Sequence, residues 1–317
     1  MSATDIRRVR IIMRVFITGA SGHIGSALIP ELTKHGHEVV GLARSDRSAA
    51  ILEAAGAKAY RGDLDDLDSL GEAATAADGV VHLAFKHEAM ASGDYVGALA
   101  DDLAAIEAMG AALEGSGKPF VGTGGTLMLA LSGIEGRAGT ERDVVTGGPR
   151  VEAENTVIGL AERGVRSSLI RLSPVVHSSL DHHGFAHALI GIARGKGFAG
   201  YVGDGANRWP AVHTLDAARL YRLALESAPA GSRLHGVADE GVPFRDIAEV
   251  IGNRLGLPVK SVDPRDANEH FGFLGMFAGR DNWTSSAGTR ELLGWGPTHE
   301  GLIDDLTNGH YFDSPTA

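Results

Sequence analysis

The chain has 317 residues, 44% of them hydrophobic and 22% charged, with a formal net charge of −11. That length can bury one large core or a nucleotide-binding domain with a smaller companion, and the negative balance without any Lys/Arg stripe argues against nucleic acid as a partner. The absence of cysteine excludes disulfides, thiolate nucleophiles and cysteine-ligated zinc, while no apolar run approaches the roughly 18 residues of a membrane span, so the expected setting is cytoplasmic with no membrane partner.

Residues Met1–Ile12 precede the first strand; their polar part reads as a flexible extension, with Met13 an alternative start. The strand Arg14–Thr18 then runs straight into Gly19, Gly22 and Gly25, three glycines spaced three apart. Gly19 lets the chain turn sharply, Gly22 lets backbone N–H groups approach a pyrophosphate, and Gly25 lets the following helix pack close to a sheet. The first turn, with Ser21, His23 and Ile24 beside the glycines, would face the phosphates with unsatisfied N–H groups and a partial positive charge. A strand before, an amphipathic segment to His35 after and a second strand at Glu38–Ala43 supply the context that makes this a dinucleotide site.

Beyond the loop, hydrophobic runs alternate with helical patterns: a helix near Ala49–Ala55, strand Lys58–Arg61, helix Leu67–Ala76, strand Val80–Leu83 and a long Ala-rich helix Tyr95–Glu114. Strand Phe120–Thr123, a helix around Arg150–Arg163 and strand Ser167–Leu172 follow. This rhythm predicts an α/β, Rossmann-type doubly wound parallel sheet, whose ligands lie beyond the carboxyl ends of its strands. The second strand ends in Arg44, Ser45 and Arg47, which suit a ribose 2′-phosphate and favour NADP (NADPH), although Asp46 could still accept from the free hydroxyl of NAD. Asp63 and Leu64 follow the third strand, where the carboxylate either meets the adenine amino group or caps a helix. The fourth ends in His82, a buried structural histidine by its surroundings, and in Leu83 and Ala84, which leave room for the dinucleotide.

Taken together, Thr18–Gly25, Gly62-Asp63-Leu64, His82-Leu83-Ala84, Arg171–Val176, Gly203–His213 with Asp216, and Glu291–Pro297 resemble the extended short-chain dehydrogenase/reductases, which include the NAD(P)-dependent epimerases and dehydratases. The resemblance runs in family order from about Met13 to Leu306. It implies hydride exchange with a nicotinamide while a Tyr, four residues before a Lys on one helix face, exchanges a proton with a small-molecule substrate. None of the five tyrosines here has Lys four residues on. The resemblance puts Thr146 at the Tyr position and Arg150 at the Lys position, as in an atypical subgroup with His-x-x-x-Arg, and Thr146 departs even from that. Arg150 could hold ribose hydroxyls and favour a developing alkoxide, or simply pair with a carboxylate. Thr123 or Thr126 takes the family's place for the hydroxyl that bonds the substrate carbonyl, and Pro174 and Val175 pass the nicotinamide. His177, just beyond, is a candidate replacement acid. Asp181-His182-His183 could line a pocket, but without a third ligand at metal-like spacing no metal is expected.

From Gly184 the rhythm loosens: helix Phe185–Arg194, a loop-rich connection Val202–His213, helix Leu215–Leu225, strand Leu234–Ala238 and helix Phe244–Leu255. The expected division is a dinucleotide domain over 13–175 with a return around 211–238, and a smaller C-terminal substrate lobe over 176–210 and 239–317. Arg208 and Trp209 either face a planar or anionic ligand or fill the lobe's core; His270–Ala278 reads as a lid, a subunit contact or a flap, and Ala287–Leu293 as a packing helix. The function that follows is an NADP-dependent oxidoreductase acting on a small carbonyl or alcohol, as monomer or homodimer. A non-catalytic NADP-binding redox module and a sugar-nucleotide epimerase or dehydratase remain as alternatives.

Overall fold

Seven parallel strands lie in the order β10-β6-β5-β4-β1-β2-β3 in the computed structural model: β1 Arg14–Thr18, β2 Glu38–Ala43, β3 Lys58–Arg61, β4 Gly79–His82, β5 Pro119–Gly125, β6 Arg166–Leu172 and β10 Ser232–Gly236. The structure describes residues 12–87, 94–134, 136–147 and 150–312, so nearly all of the expected flexible N-terminal extension lies outside the described residues. The chain winds outward from β1 to β3, then crosses back to β4 on the other side of β1. That reversal opens a crevice between the carboxyl ends of β1 and β4, where the glycine loop and His82–Ala84 both emerge.

Strands buried on both faces need apolar cover on both sides. The helices Leu67–Ala76, Tyr95–Ala112 and Val151–Gly159 pack Leu70, Ile106, Met109 and Val157 with Phe16, Val80 and Phe120 on one face. The helices His23–Lys34 and Thr214–Ser227 pack Leu28, Leu32, Leu220 and Leu225 with Ile17, Val81 and Ile170 on the other. The Val151–Gly159 helix is also tied to β6 by a buried pair, Arg171 donating to both carboxylate oxygens of Glu154, with Arg233 donating to one of them. This fixes where Arg150, at that helix's N-terminus, can sit. The expected helix around Arg150–Arg163 is this helix continued by a 3-10 turn, Leu160–Arg163.

The third cluster lies beyond the sheet. It joins β7 Val175–His177, β8 Ala199–Val202, β9 Arg208–His213, β11 Asp239–Pro243 and β12 Val259–Val262 with the helices Phe185–Lys196, Phe244–Leu255 and Leu302–Asn308. The supposed loop-rich connection Val202–His213 holds β9, which pairs in parallel with β7 and antiparallel with β11. Its pattern misleads because five of its six residues are buried, so polar and apolar positions do not alternate, and Pro210 interrupts it. Trp209 is fully buried against Phe185 and Phe244, hence core rather than ligand contact, while Arg208 is held by both oxygens of Asp281 and lies over the Trp283 ring. The Phe/Gly-rich stretch His270–Ala278 is mixed: Phe271, Leu274 and Ala278 are buried in this core, whereas Phe273 and Met276 are exposed.

Candidate active site

The loop after β1 has the shape of a phosphate cradle. Gly19 adopts φ +69°, and a Cβ there would lie 2.7 Å from the backbone nitrogen of Ala84. At Gly25 a Cβ would be driven into the Ala20 backbone, so neither position accepts another residue without moving the loop. Gly22 is the N-cap of His23–Lys34 and no side chain caps that helix. The N–H groups of His23, Ile24 and Gly25 therefore point out of its end toward the crevice, with half-buried Ser21 beside them. These features fit a pyrophosphate. The His23 ring turns inward instead: its Nε2 lies 2.7 Å from the Thr214 hydroxyl, and burial lowers its pKa.

From this loop a line of buried hydrogen bonds crosses the sheet. The Ala84 N–H donates to the Thr18 hydroxyl (3.2 Å), which lies 2.7 Å from Nδ1 of His82, and His82 Nε2 lies 3.1 Å from a carboxylate oxygen of Asp102. The other Asp102 oxygen accepts from Arg150 at 3.2 Å, and the same guanidinium nitrogen donates to the Thr123 carbonyl at 3.0 Å. A carboxylate only accepts, so His82 carries its proton on Nε2 and accepts a hydrogen bond from the Thr18 hydroxyl at Nδ1. Donation thus converges on Asp102 from both sides, from Ala84 through Thr18 and His82 on one and from Arg150 on the other. Burial alone would push the Asp102 carboxyl up, but the His82 hydrogen bond and the Arg150 charge outweigh it and hold the carboxyl below its usual range.

Arg150 is the one non-glycine residue with positive φ (+62°) among the described residues. Such a backbone persists only where its surroundings over-determine it. Here the Asp102 pair, the Thr123 carbonyl and the Phe85 ring, 4.5 Å from the guanidinium carbon, do so. The carboxylate pairing foreseen as the alternative to a catalytic Arg150 is present, and it is also what holds the cation at the ends of β4 and β5. Sequence reasoning missed Asp102 and Phe85. The signal for Asp102 was available: Ala98, Asp102, Ala105, Ile106, Met109 and Gly110 form the buried stripe of their helix, and one of the six is a carboxylate.

The remaining candidates separate. Thr146 is exposed on a loop before the Val151–Gly159 helix, so Thr146 and Arg150 share no helix face and the family's four-residue spacing has no geometric meaning here. Thr123 spends its hydroxyl on the His82 carbonyl (2.7 Å) and the buried Tyr221 hydroxyl (2.8 Å); its carbonyl, rather than its side chain, serves Arg150. Thr126 is fully buried and meets Asn282. His177 is also fully buried, its Nδ1 2.8 Å from Asp305 and its ring edge-on to His213, turned into the lobe rather than toward Arg150. Pro174 is half-buried at the crevice, while the Val175 side chain packs in the lobe core and has only backbone to offer a ligand.

On the adenosine side, Arg44 and Arg47 are exposed just past β2. Ser45 is the N-cap of Asp46–Ala54, accepting from Ser48 N–H, and Asp46 pairs with Arg61 from β3. Asp63 is half-buried beyond β3 with Leu64; the cap of the next helix is Asp66, not Asp63. Asp181 is tied to the N–H groups of His183 and Gly184 and to the Tyr311 hydroxyl. His213, Asp216 and His299 bring ligand atoms within 4.8 Å of one another. The Asp216 oxygens already accept from Thr298 and His299 N–H groups and the Thr298 hydroxyl, and His213 Nδ1 accepts from Leu215 N–H. The trio is a clamp that fastens the loop at 298–299 to a helix start.

Residues 15–109 match the family described as the NAD dependent epimerase/dehydratase family. An uncharacterized protein of Schizosaccharomyces pombe is 47% identical over 95% of this chain and 100% of its own length. Another, from Saccharomyces cerevisiae, is 44% identical over 93% and 98%. Among solved structures, dTDP-glucose 4,6-dehydratase from Streptomyces venezuelae, with NAD and TYD bound, superposes with a TM-score of 0.73 at 19% identity, over 93% of this chain and 95% of that one. The fold and cradle are those of an NAD(P)-binding oxidoreductase. The chain belongs to the NAD-dependent epimerase/dehydratase family, within the extended short-chain dehydrogenase/reductases. No helix among the described residues is long and apolar enough to cross a membrane.

Proposed function

We propose that this protein is an NADP-dependent oxidoreductase acting on a small carbonyl or alcohol, with Arg150 at the reacting oxygen. The observation that carries this reading is the hydrogen-bond line from the cradle wall at Ala84 through Thr18 and His82 to Asp102, whose other oxygen holds the Arg150 cation beside the crevice a dinucleotide would enter. A bound NADPH would supply the hydride. Arg150, buttressed by Asp102 and Phe85, favours negative charge developing on a carbonyl oxygen and needs no reorganisation to do so. Arg44 and Arg47 supply charge for a 2′-phosphate, and the pairing of Asp46 with Arg61 engages a carboxylate that would otherwise suit a free ribose hydroxyl.

One observation favours a second reading, a non-catalytic NADP-binding module: the Thr123 and Thr126 hydroxyls are both engaged within the protein. The two separate in one experiment. NADPH binding is followed by its fluorescence, and NADPH oxidation across a panel of aldehydes, ketones and imines. Turnover of any class supports the oxidoreductase; tight binding with no turnover across the panel overturns it in favour of the binding module.

A further inference from the structure

The helix reserved by the family for its tyrosine carries none here, yet the helix whose Asp102 holds Arg150 opens on a tyrosine. Tyr95 opens the helix Tyr95–Ala112. It lies seven residues before Asp102, two turns up the same face, with buried Ala98 between them. Because this helix leads from β4 back to β5, its N-terminal end lies at the carboxyl edge of the sheet, above the Asp102–Arg150 pair and level with the crevice. Tyr95 is half-buried there, on the helix face that carries Asp102. Phe85 beneath Arg150 completes an apolar wall.

Resting on the oxidoreductase reading above, we propose that Tyr95 is the catalytic proton donor, so that phenol and cation, which the family mounts on one helix, come here from two helices packed against each other. In the step, a carbonyl carbon accepts a hydride from the reduced nicotinamide, the C=O π bond opens, and the oxygen takes the Tyr95 hydroxyl proton. The phenolate left beside Arg150 regains its proton from solvent. Burial holds the phenol above the ordinary tyrosine value while the Arg150 charge pulls it down. The hydroxyl thus stays protonated at neutral pH, and its anion has a counter-charge. This suits donation in the direction of carbonyl reduction.

The nearest rival is His87, its ring 5.2 Å from that of Phe85. Burial and the Arg150 charge lower its pKa, leaving it neutral near pH 7.

The test compares Tyr95→Phe, His87→Gln and wild type for NADPH oxidation on the best panel substrate, for NADPH affinity by fluorescence and for melting temperature. Loss of a general acid predicts roughly a 100-fold or greater fall in kcat for Tyr95→Phe with NADPH affinity unchanged, and His87→Gln within about threefold of wild type. A second readout needs no turnover: alkaline difference titration near 295 nm, with the Tyr95 component identified by its loss in Tyr95→Phe. That component moves to higher pH in Arg150→Met and returns in Arg150→Lys. If wild type turns over and Tyr95→Phe does too, within threefold, the proposal alone is overturned, as it is if the Tyr95 titration ignores Arg150. If wild type oxidises no NADPH on any substrate, the oxidoreductase reading falls and this assignment with it.

Discussion

Replacing Asp102 by Asn keeps shape and volume but inverts one hydrogen bond. Both carboxylate oxygens now accept, one from His82 Nε2 and one from Arg150. Whichever way the amide turns, its NH2 meets a donor. His82 could escape by moving its proton to Nδ1, but the Thr18 hydroxyl would then accept from both Ala84 N–H and His82 and lose the acceptor for its own buried proton. An unsatisfied buried donor costs about 1–3 kcal/mol and a broken buried ion pair about 3–5. Asp102 is 1% exposed at its side chain but Arg150 is 23% exposed, and water softens the loss on that side. The expected cost is therefore roughly 2–3 kcal/mol, or about 4–6 °C in Tm at some 2 °C per kcal/mol for a chain of this size. The carboxyl is held below its unfolded value, so its stabilising contribution is full above about pH 4 and is lost as pH falls through the folded value. The gap between wild type and Asp102→Asn, measured by urea unfolding at a series of pH values, should be constant from pH 5 to 8 and close toward pH 3. A variant melting within 1 °C of wild type across that range would refute the reading of Asp102 as an acceptor for both His82 and Arg150.

Three further outcomes follow from other parts of the molecule. Gly25→Ala forces a Cβ into the Ala20 backbone and should weaken NADPH binding more than tenfold by displacing the helix end, read by fluorescence titration. Arg44→Ala with Arg47→Ala should lower affinity for NADPH by roughly tenfold or more while leaving NADH within about twofold; equal loss for both cofactors would refute the 2′-phosphate assignment. Burial lowers the pKa values of His213 and His235 to about 4, so the unfolded chain binds protons first as pH falls and stability should drop from about pH 6.5 toward pH 4. His213→Asn keeps an acceptor for the helix start without titrating. It should flatten that slope by up to one proton in urea midpoints, and an unchanged slope would show that His213 contributes nothing.

Much of the fold was legible because its signals are local. The expected spans of β2, β3, Phe244–Leu255 and Ala287–Leu293 coincide with the observed ones to the residue. β9 was not legible, since a strand buried on both faces has no alternation to read and Pro210 reads as a break. Among site residues, Gly19 and Gly25 could be assigned roles because a bare Cα has a geometric reason wherever it stands. Thr146, Thr123, Thr126 and His177 could not be sorted by position along the chain. Whether a hydroxyl or imidazole faces a ligand depends on partners 40 to 160 residues away, such as His82, Tyr221, Asn282 and Asp305.

By itself, then, the sequence determined a doubly wound parallel sheet, a cradle for a dinucleotide and the absence of the usual Tyr-x-x-x-Lys. Those depend on periodicity, on glycine and on spacing within one element. Only the tertiary structure decided that Asp102 from one helix would grip Arg150 at the start of another. A charge–carboxylate pair buried between helices forms only when the sheet beneath them closes and excludes water, and contact across 48 residues leaves no mark in the order of the chain.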